Sequence, residues 1–128
     1  MLAKAWSAAL QGIEAYSVEV EVNPTLAGKE DIINIVGMPD TAVRESRDRV
    51  SSAMTANGFF PPHGKTTVNL APADIRKEGS AFDLSIALCV IAAQNGFDRN
   101  SVHEAMILGE LALDGRVIVS GRLPSTEE

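Results

Sequence analysis

A chain of 128 residues with 45% apolar and 22% charged residues has the size and composition of one globular domain, which excludes a disordered or fibrous protein. Its formal net charge of −6 argues against a dedicated nucleic-acid binder, because phosphate affinity comes mainly from concentrated lysine and arginine. The first ten residues are too short and too interrupted for a signal peptide, and no apolar run approaches the roughly 20 residues of a membrane span. We therefore expect a cytoplasmic domain with no membrane partner.

The chain opens with a pattern that predicts three strands. Valines alternate with glutamates over residues 18–22, as in a half-buried strand, and the sequence before them completes a hairpin that turns near Gln11-Gly12. A polar loop follows, and the apolar run at 32–36 is suited to a third strand.

A helix is predicted after the break at residues 37–40. Asp40 or Thr41 can cap its first turn, and Asn57-Gly58 can end it. Apolar side chains recur at helical spacing at Val43, Val50, Ala53 and Met54. Arginines occupy the other face, namely Arg44, Arg47 and Arg49.

A central strand at 66–70, ended by Pro72, and a loop at 71–79 precede the second helix. Ser80 and Asp83 have the spacing of a capping box, in which Ser80 bonds forward and Asp83 reaches back. The helix is apolar on nearly every side and runs to Asn95-Gly96. We place this central helix inside, against the sheet.

The last elements are short. Residues 101–104 repeat the capping spacing and open a turn or two of helix, and Asp114-Gly115 between apolar runs predicts a hairpin over 111–119. The order of the elements predicts an α/β (α+β) two-layer sandwich that occupies residues 1–124, followed by a polar tail at 125–128.

Most catalytic and metal-binding signals are missing. The sequence has no P-loop and no dinucleotide fingerprint, and neither His63 nor His103 has a carboxylate at metal-ligand spacing. The single cysteine, Cys89, can form no internal disulfide and is expected in the core. The sequence thus predicts no metal site and no cofactor in this domain.

Two features are candidates for function. Ser80 precedes a helix, where free N–H groups stabilise negative charge, so it is either a nucleophile or anion site or only the helix cap. Catalysis would also require a base, and no lysine follows Lys77. Arg76 and Lys77 form a local basic pair, which is either solvated loop charge or a phosphate contact.

Three stretches carry a family resemblance: IVGMPDTAVRESRDRV at 35–50, TVNLAPADIRKEGSAFDL at 67–84 and LGELALDG at 108–115. They resemble the N-terminal region of the ComM/YifB magnesium-chelatase-like proteins, and the likeness covers nearly the whole chain to about residue 124. The resemblance implies a fold like the Lon proteolytic domain and the RadA C-terminal domain, which is also the fold of ribosomal protein S-five domain 2.

The resemblance also bears on catalysis. Lon-type proteases use a serine near the start of the central helix and a lysine after the G-E-x-x-L-x-G-x-V stretch. By that spacing the serine falls at Gly79 or Ser80, and the lysine falls at or beside Pro124, which cannot accept a proton. The comparison implies a protease-like scaffold without its dyad, hence no enzyme activity in this chain alone. A residual Lon-type serine peptidase that uses Ser80 is the alternative.

Family members resemble hexameric AAA+ ATPases, and the ComM branch is associated with DNA branch migration during recombination. For this domain the resemblance implies an assembly or DNA-guiding role in a homo-hexameric helicase-like ring, with Arg76 and Lys77 as phosphate contacts. ATP and magnesium are expected in the AAA+ part, outside this chain. An accessory domain of a metal-inserting magnesium chelatase is the second alternative.

Overall fold

The computed structural model describes residues 2–11, 13–25, 28–94 and 98–118. In chain order the described elements are β1 (Ala3–Gln11), β2 (Glu14–Pro24), β3 (Ile32–Val36), α1 (Thr41–Arg44), α2 (Ser46–Ala56), β4 (Lys65–Ala71), α3 (Asp83–Ala93), α4 (Arg99–His103), β5 (Glu110–Leu111) and β6 (Val117–Ile118). The structure thus confirms a mixed α/β domain with the predicted order of elements.

Four strands form a mixed sheet in the order β1-β2-β4-β3. β1 and β4 both run antiparallel to β2, whereas β3 runs parallel to β4. The outer edge of β1 is joined at one point, because Trp6 exchanges backbone hydrogen bonds with Ala105 and Ile107 (3.3 and 2.7 Å). β5 and β6 form a separate two-stranded ribbon. β4 is therefore an interior strand, as the sequence predicted.

The helices cover one face of the sheet. Val18, Val20 and Val22 are fully buried on that face, where α3 packs on β1 and β2. Alternate side chains point to the other face, which is polar, since Glu21 pairs there with Lys4 and accepts a hydrogen bond from Asn69. α2 packs against α3 and completes the helical layer. The apolar core lies between the two layers.

The first predicted helix is observed as α1 and α2, separated at Glu45, whose backbone stays in the right-handed helical region. Asp40 caps α1 as predicted, because its Oδ1 accepts from the Val43 N–H at 2.8 Å. The predicted end at Asn57-Gly58 is also confirmed. The sequence grouped Arg49 with Arg44 and Arg47 on the polar face, but its side chain turns inward to Asp83.

The predicted capping box of the central helix is wrong. α3 begins at Asp83, Phe82 is its N-cap without a side-chain hydrogen bond, and neither Ser80 nor Asp83 uses its side chain to cap the helix. The physical reason is that a buried carboxylate gains more from the charged donors of Arg49 than from one backbone N–H.

The ends of the chain's later elements differ slightly from expectation. α4 begins at Arg99 with Asp98 as its cap, earlier than the predicted 101–104. The β5–β6 ribbon turns at Asp114-Gly115, as predicted. Several positions used in the predictions lie outside the described residues: Gly12, Asn95-Gly96, Val119, Pro124 and the tail at 125–128.

No helix in the four described stretches combines the length and the apolar character needed to cross a lipid bilayer.

Gly37 offers a test of the packing between β3 and β4. Its φ is +106°, and a Cβ built on it would lie 2.2 Å from the carbonyl oxygen of Leu70. Gly58 has a comparable φ of +82° with nothing within 4 Å of a built Cβ. We expect Gly58→Ala to lower the free energy of unfolding by about 1 kcal/mol through backbone strain alone. Gly37→Ala should lower it by at least about 3 kcal/mol, because the clash adds to the strain. Urea unfolding of both variants checks this, and equal losses would contradict the close approach.

Candidate functional site at the start of the central helix

The carboxylate of Asp83, the first residue of α3, is fully buried and accepts hydrogen bonds from three residues on two other segments. Arg49 on α2 donates Nε to Oδ2 at 2.6 Å and Nη2 to Oδ1 at 3.0 Å. The Ser46 hydroxyl also donates to Oδ1, and the Leu111 N–H on β5 donates to Oδ2 at 3.0 Å. One carboxylate thus joins α2, α3 and β5.

The guanidinium of Arg49 is held on more than one side. Its Nη2 also donates to the carbonyl oxygen of Ala42 at 2.8 Å, and its Nη1 lies 3.7 Å from an oxygen of the exposed Glu45. The hydrogen bond to Asp83 raises the pKa of Arg49, and burial opposes this only in part. The buried carboxylate of Asp83 therefore favours the charged form of the guanidinium.

Ser80, the candidate nucleophile, is half-buried three residues before α3. Its hydroxyl donates to Oε1 of Glu110 at 2.7 Å. In the described ranges neither a lysine amine nor a histidine ring bonds this hydroxyl. A carboxylate is a weaker base than an amine or an imidazole, so the observed partner favours a fixed hydroxyl over an activated one. Pro124, where the resemblance would place the lysine, lies outside the described residues.

Backbone hydrogen bonds strengthen the same junction. The Leu84 N–H donates to the Gly109 carbonyl at 3.0 Å, and the Gly109 N–H donates to the Ala81 carbonyl at 2.8 Å. Residues 80–84 and 109–111 are thus joined by both side chains and backbone. These hydrogen bonds hold the start of α3 against β5.

Arg76 and Lys77, the predicted phosphate contacts, lie in different environments. The Arg76 side chain is 65% exposed, with Nε 3.2 Å from Oε2 of Glu78. Lys77 is fully buried, and its ammonium donates to the carbonyl oxygen of Pro72. The backbone of Lys77 is hydrogen-bonded to the backbone of Met38 and Asp40, as in an extended strand. Successive side chains of an extended segment point to opposite sides, so Arg76 can face solvent while Lys77 faces inward.

The burial of Lys77 corrects its expected role. Burial lowers the pKa of Lys77, although the charge of Asp74 acts in the opposite direction. An ammonium that is enclosed in this way does not face a phosphate on the surface. Of the predicted pair, only Arg76 presents its charge to solvent.

The sequence placed Arg44 on the polar face of the first helix but did not predict that it lies near Arg76. Arg44, in the last turn of α1, is exposed and lines a surface cavity of about 330 Å³ together with Arg76. The exposed Met38, which has a φ of +59°, lies in the same cavity wall. The helix cap at Asp40 could have indicated this position in the sequence, because it sets the start of α1 and therefore places Arg44 in its last turn.

The histidines and the cysteine lie away from this site. His63 is 3.7 Å from Asp31, and His103 is 3.5 Å from Glu19 and stacks on Trp6. The part of the chain that the structure describes has no group of three or more His, Cys, Asp or Glu side chains that could hold a metal ion. Cys89 lies in the core as predicted, and burial raises the pKa of its thiol to about 12.

Comparisons with known proteins support the family resemblance of the three stretches. A family model described as subunit ChlI of Mg-chelatase matches residues 18–126. The uncharacterized protein YifB of Escherichia coli is 42% identical over 113 residues, which cover 88% of this chain and 22% of that protein. The competence protein ComM of Haemophilus influenzae is 39% identical over 125 residues, which cover 97% of this chain and 24% of that protein. The chain belongs to this magnesium-chelatase-like family and spans about a quarter of the length of these relatives.

Two variants around Arg49 test the structural role of Asp83. Asp83→Asn leaves the Arg49 charge without its buried counter-charge, which should lower the free energy of unfolding by about 3–5 kcal/mol. Glu45→Gln removes an exposed partner of the same guanidinium and should cost less than about 0.5 kcal/mol. Chemical denaturation of both variants measures the difference. Similar losses would show that the ion pair with Asp83 stabilises no more than a surface contact.

Proposed function

We propose that this chain is a non-catalytic N-terminal module of a longer magnesium-chelatase-like ATPase that resembles the ComM DNA branch-migration helicase. In this proposal the module assembles with its copies in a homo-hexameric ring and guides DNA. ATP and magnesium act in the AAA+ part of the longer protein. The observation that carries the non-catalytic role is the hydrogen bond from Ser80 to Glu110, which gives the candidate nucleophile a carboxylate partner.

The polar groups around Ser80 support the same conclusion. Asp83 and Arg49 are hydrogen-bonded to each other, and their remaining bonds go to the backbone of Leu111 and Ala42. Neither side chain is therefore free to activate a nucleophile or to bind a substrate. The cluster therefore does structural work where a Lon-type protease would do chemistry.

The proposed DNA contact is local. A net charge of −6 repels a polyanion at long range, so binding depends on an exposed basic patch. Arg44 and Arg76 line one cavity and supply two such charges, while the buried Lys77 supplies none. Two carboxylates lie close to them, because Asp40 lines the same cavity and Glu78 pairs with Arg76. The family relationship to a protein named for competence supports DNA as the partner.

The description of the matching family favours a second candidate, an accessory domain of a metal-inserting chelatase. That role needs no phosphate contact at Arg44 or Arg76. The two candidates therefore differ in how DNA binding responds to these residues.

Charge reversal tests the DNA contact in the longer protein that carries this domain. Arg44→Glu with Arg76→Glu should weaken binding to single-stranded or branched DNA and reduce the slope of log K against log salt by about 2, one unit per phosphate contact. The matched control is Lys29→Glu with Lys65→Glu, which makes the same charge change with exposed residues at the other end of β3. Fluorescence anisotropy over a salt series measures both. Equal effects of the two pairs would remove the proposed contact.

A serine-directed fluorophosphonate probe tests the peptidase alternative. We expect no labelling of Ser80 in the folded chain, because its hydroxyl donates to Glu110 and has no amine or imidazole base in the described ranges. Intact-mass analysis of the wild type and of Ser80→Ala, with an active serine hydrolase in parallel, provides the measurement. Labelling that disappears in Ser80→Ala would overturn the non-catalytic role.

A further inference from the structure

Asn57 holds the end of α2 against the turn of the β5–β6 ribbon. Its Nδ2 donates to the carbonyl oxygen of Ala53 at 2.8 Å and to the carbonyl oxygen of Asp114 at 3.1 Å. Ala53 lies in the last turn of α2, where helix carbonyls need a partner from outside the helix ladder. The side-chain amide is therefore bonded on both sides, once within α2 and once across to the ribbon.

The turn of the ribbon lies directly against this amide. Gly115 has a φ of +93°, and a Cβ built on it would overlap the Nδ2 of Asn57, so the close approach requires a glycine. Asn57, Gly115 and Leu111 also line the same cleft beside α3. Because the Leu111 N–H donates to the buried Asp83, the ribbon is fastened at two places, at its turn and at β5.

Asn57 and Gly58 form a chemically labile pair, because a glycine places no side chain in the path of its own attacking nitrogen. In succinimide formation the Gly58 nitrogen loses its proton and bonds to Cγ of Asn57. The bond from Cγ to Nδ2 breaks, and the amide leaves as ammonia. Water then opens the ring to aspartate or isoaspartate. The reaction needs only water as a co-reactant, and no atom lies within 4 Å of a Cβ built on Gly58 to obstruct it.

The folded structure keeps the reacting atoms apart. The ψ of Asn57 is 16°, which turns the Gly58 nitrogen toward the backbone nitrogen of Asn57 and away from its side chain. The Gly58 N–H is also bonded to the carbonyl oxygen of Thr55 at 3.2 Å. Ring closure thus requires the end of α2 to unwind and the ribbon to leave the Asn57 amide. The rate in the folded protein is set by that local opening.

We propose that Asn57 is a modification site whose deamidation is controlled by the β5–β6 ribbon and then keeps the ribbon open. The carboxylate of the product donates no hydrogen bond to the carbonyls of Ala53 and Asp114. Its negative charge is also unfavourable at the C-terminus of α2, and isoaspartate lengthens the backbone at the same point. The change is one-way, because the ammonia has left.

Peptide mapping of the longer protein at mildly alkaline pH tests the control by the ribbon. Trypsin isolates residues 50–65, in which Asn57 is the only asparagine. Its conversion should be at least tenfold slower in the folded protein than in guanidinium chloride. Gly115→Ala should speed the folded reaction at least fivefold, because the new Cβ displaces the amide.

The matched control for this variant is Gly28→Ala. Gly28 has a φ of +92°, so an alanine there has nearly the same backbone strain as at Gly115, but nothing lies within 4 Å of its built Cβ. Conversion of Asn57 in this control should match the wild type. Equal rates in Gly115→Ala and Gly28→Ala, or equal rates in folded and unfolded wild type, would overturn the control by the ribbon.

Hydrogen–deuterium exchange tests whether the product keeps the ribbon open. Asn57→Asp should speed exchange of the backbone amides at 110–118 at least tenfold and leave those of β2 unchanged. Asn100→Asp makes the same chemical change at an exposed asparagine on α4 and should leave the ribbon as in the wild type. Unchanged exchange at 110–118 in Asn57→Asp, or an equal rise in Asn100→Asp, would overturn this effect of the modification.

Discussion

The buried ion pair between Asp83 and Arg49 is the interaction on which the rest of the structure depends. A charge taken out of water is costly unless it is paired and fully hydrogen-bonded, and here both conditions are met. Asp83 receives donors from Arg49, Ser46 and Leu111, and Arg49 also bonds the backbone of Ala42. Because these donors come from α2 and β5, the central helix can occupy only one position between them.

This arrangement explains why the residues of the family resemblance meet at one place. The stretch at 35–50 supplies Arg49, the stretch at 67–84 supplies Asp83, and the stretch at 108–115 supplies Leu111. A second link joins the first two stretches, since Asp40 accepts from the Gly79 N–H at 3.2 Å and its own N–H bonds the Lys77 carbonyl. The three stretches thus hold α2, α3 and β5 together. Ser80 lies within the second of these stretches and is bound to Glu110, which is consistent with the proposal that this domain assembles and guides rather than catalyses.

The parts of the fold that follow from local pattern were predictable from the sequence. Alternating valines placed β2, Asp40 placed the start of α1, and Asp114-Gly115 placed the turn of the last ribbon. Each of these depends on residues only a few positions apart, whose backbone preferences act locally.

The site was less predictable, because its contacts join residues that are distant in the chain. Arg49 and Asp83 are 34 positions apart, and no periodicity indicates which arginine turns inward. Ser80 and Asp83 also have the spacing of a capping box, so a local rule suggested the wrong partners. The burial of Lys77 has the same origin, since its enclosure depends on Pro72 and on the loop at 37–40.

A double-mutant cycle with Arg49→Met and Asp83→Leu measures the central interaction most directly, because the apolar pair removes both charges together. If the ion pair holds the helix, each single variant leaves one buried charge unpaired, and the double variant should be more stable than the sum of the single losses by at least about 2 kcal/mol. Losses that add to within about 0.5 kcal/mol would show that Arg49 and Asp83 act independently, and the account of the junction would be contradicted.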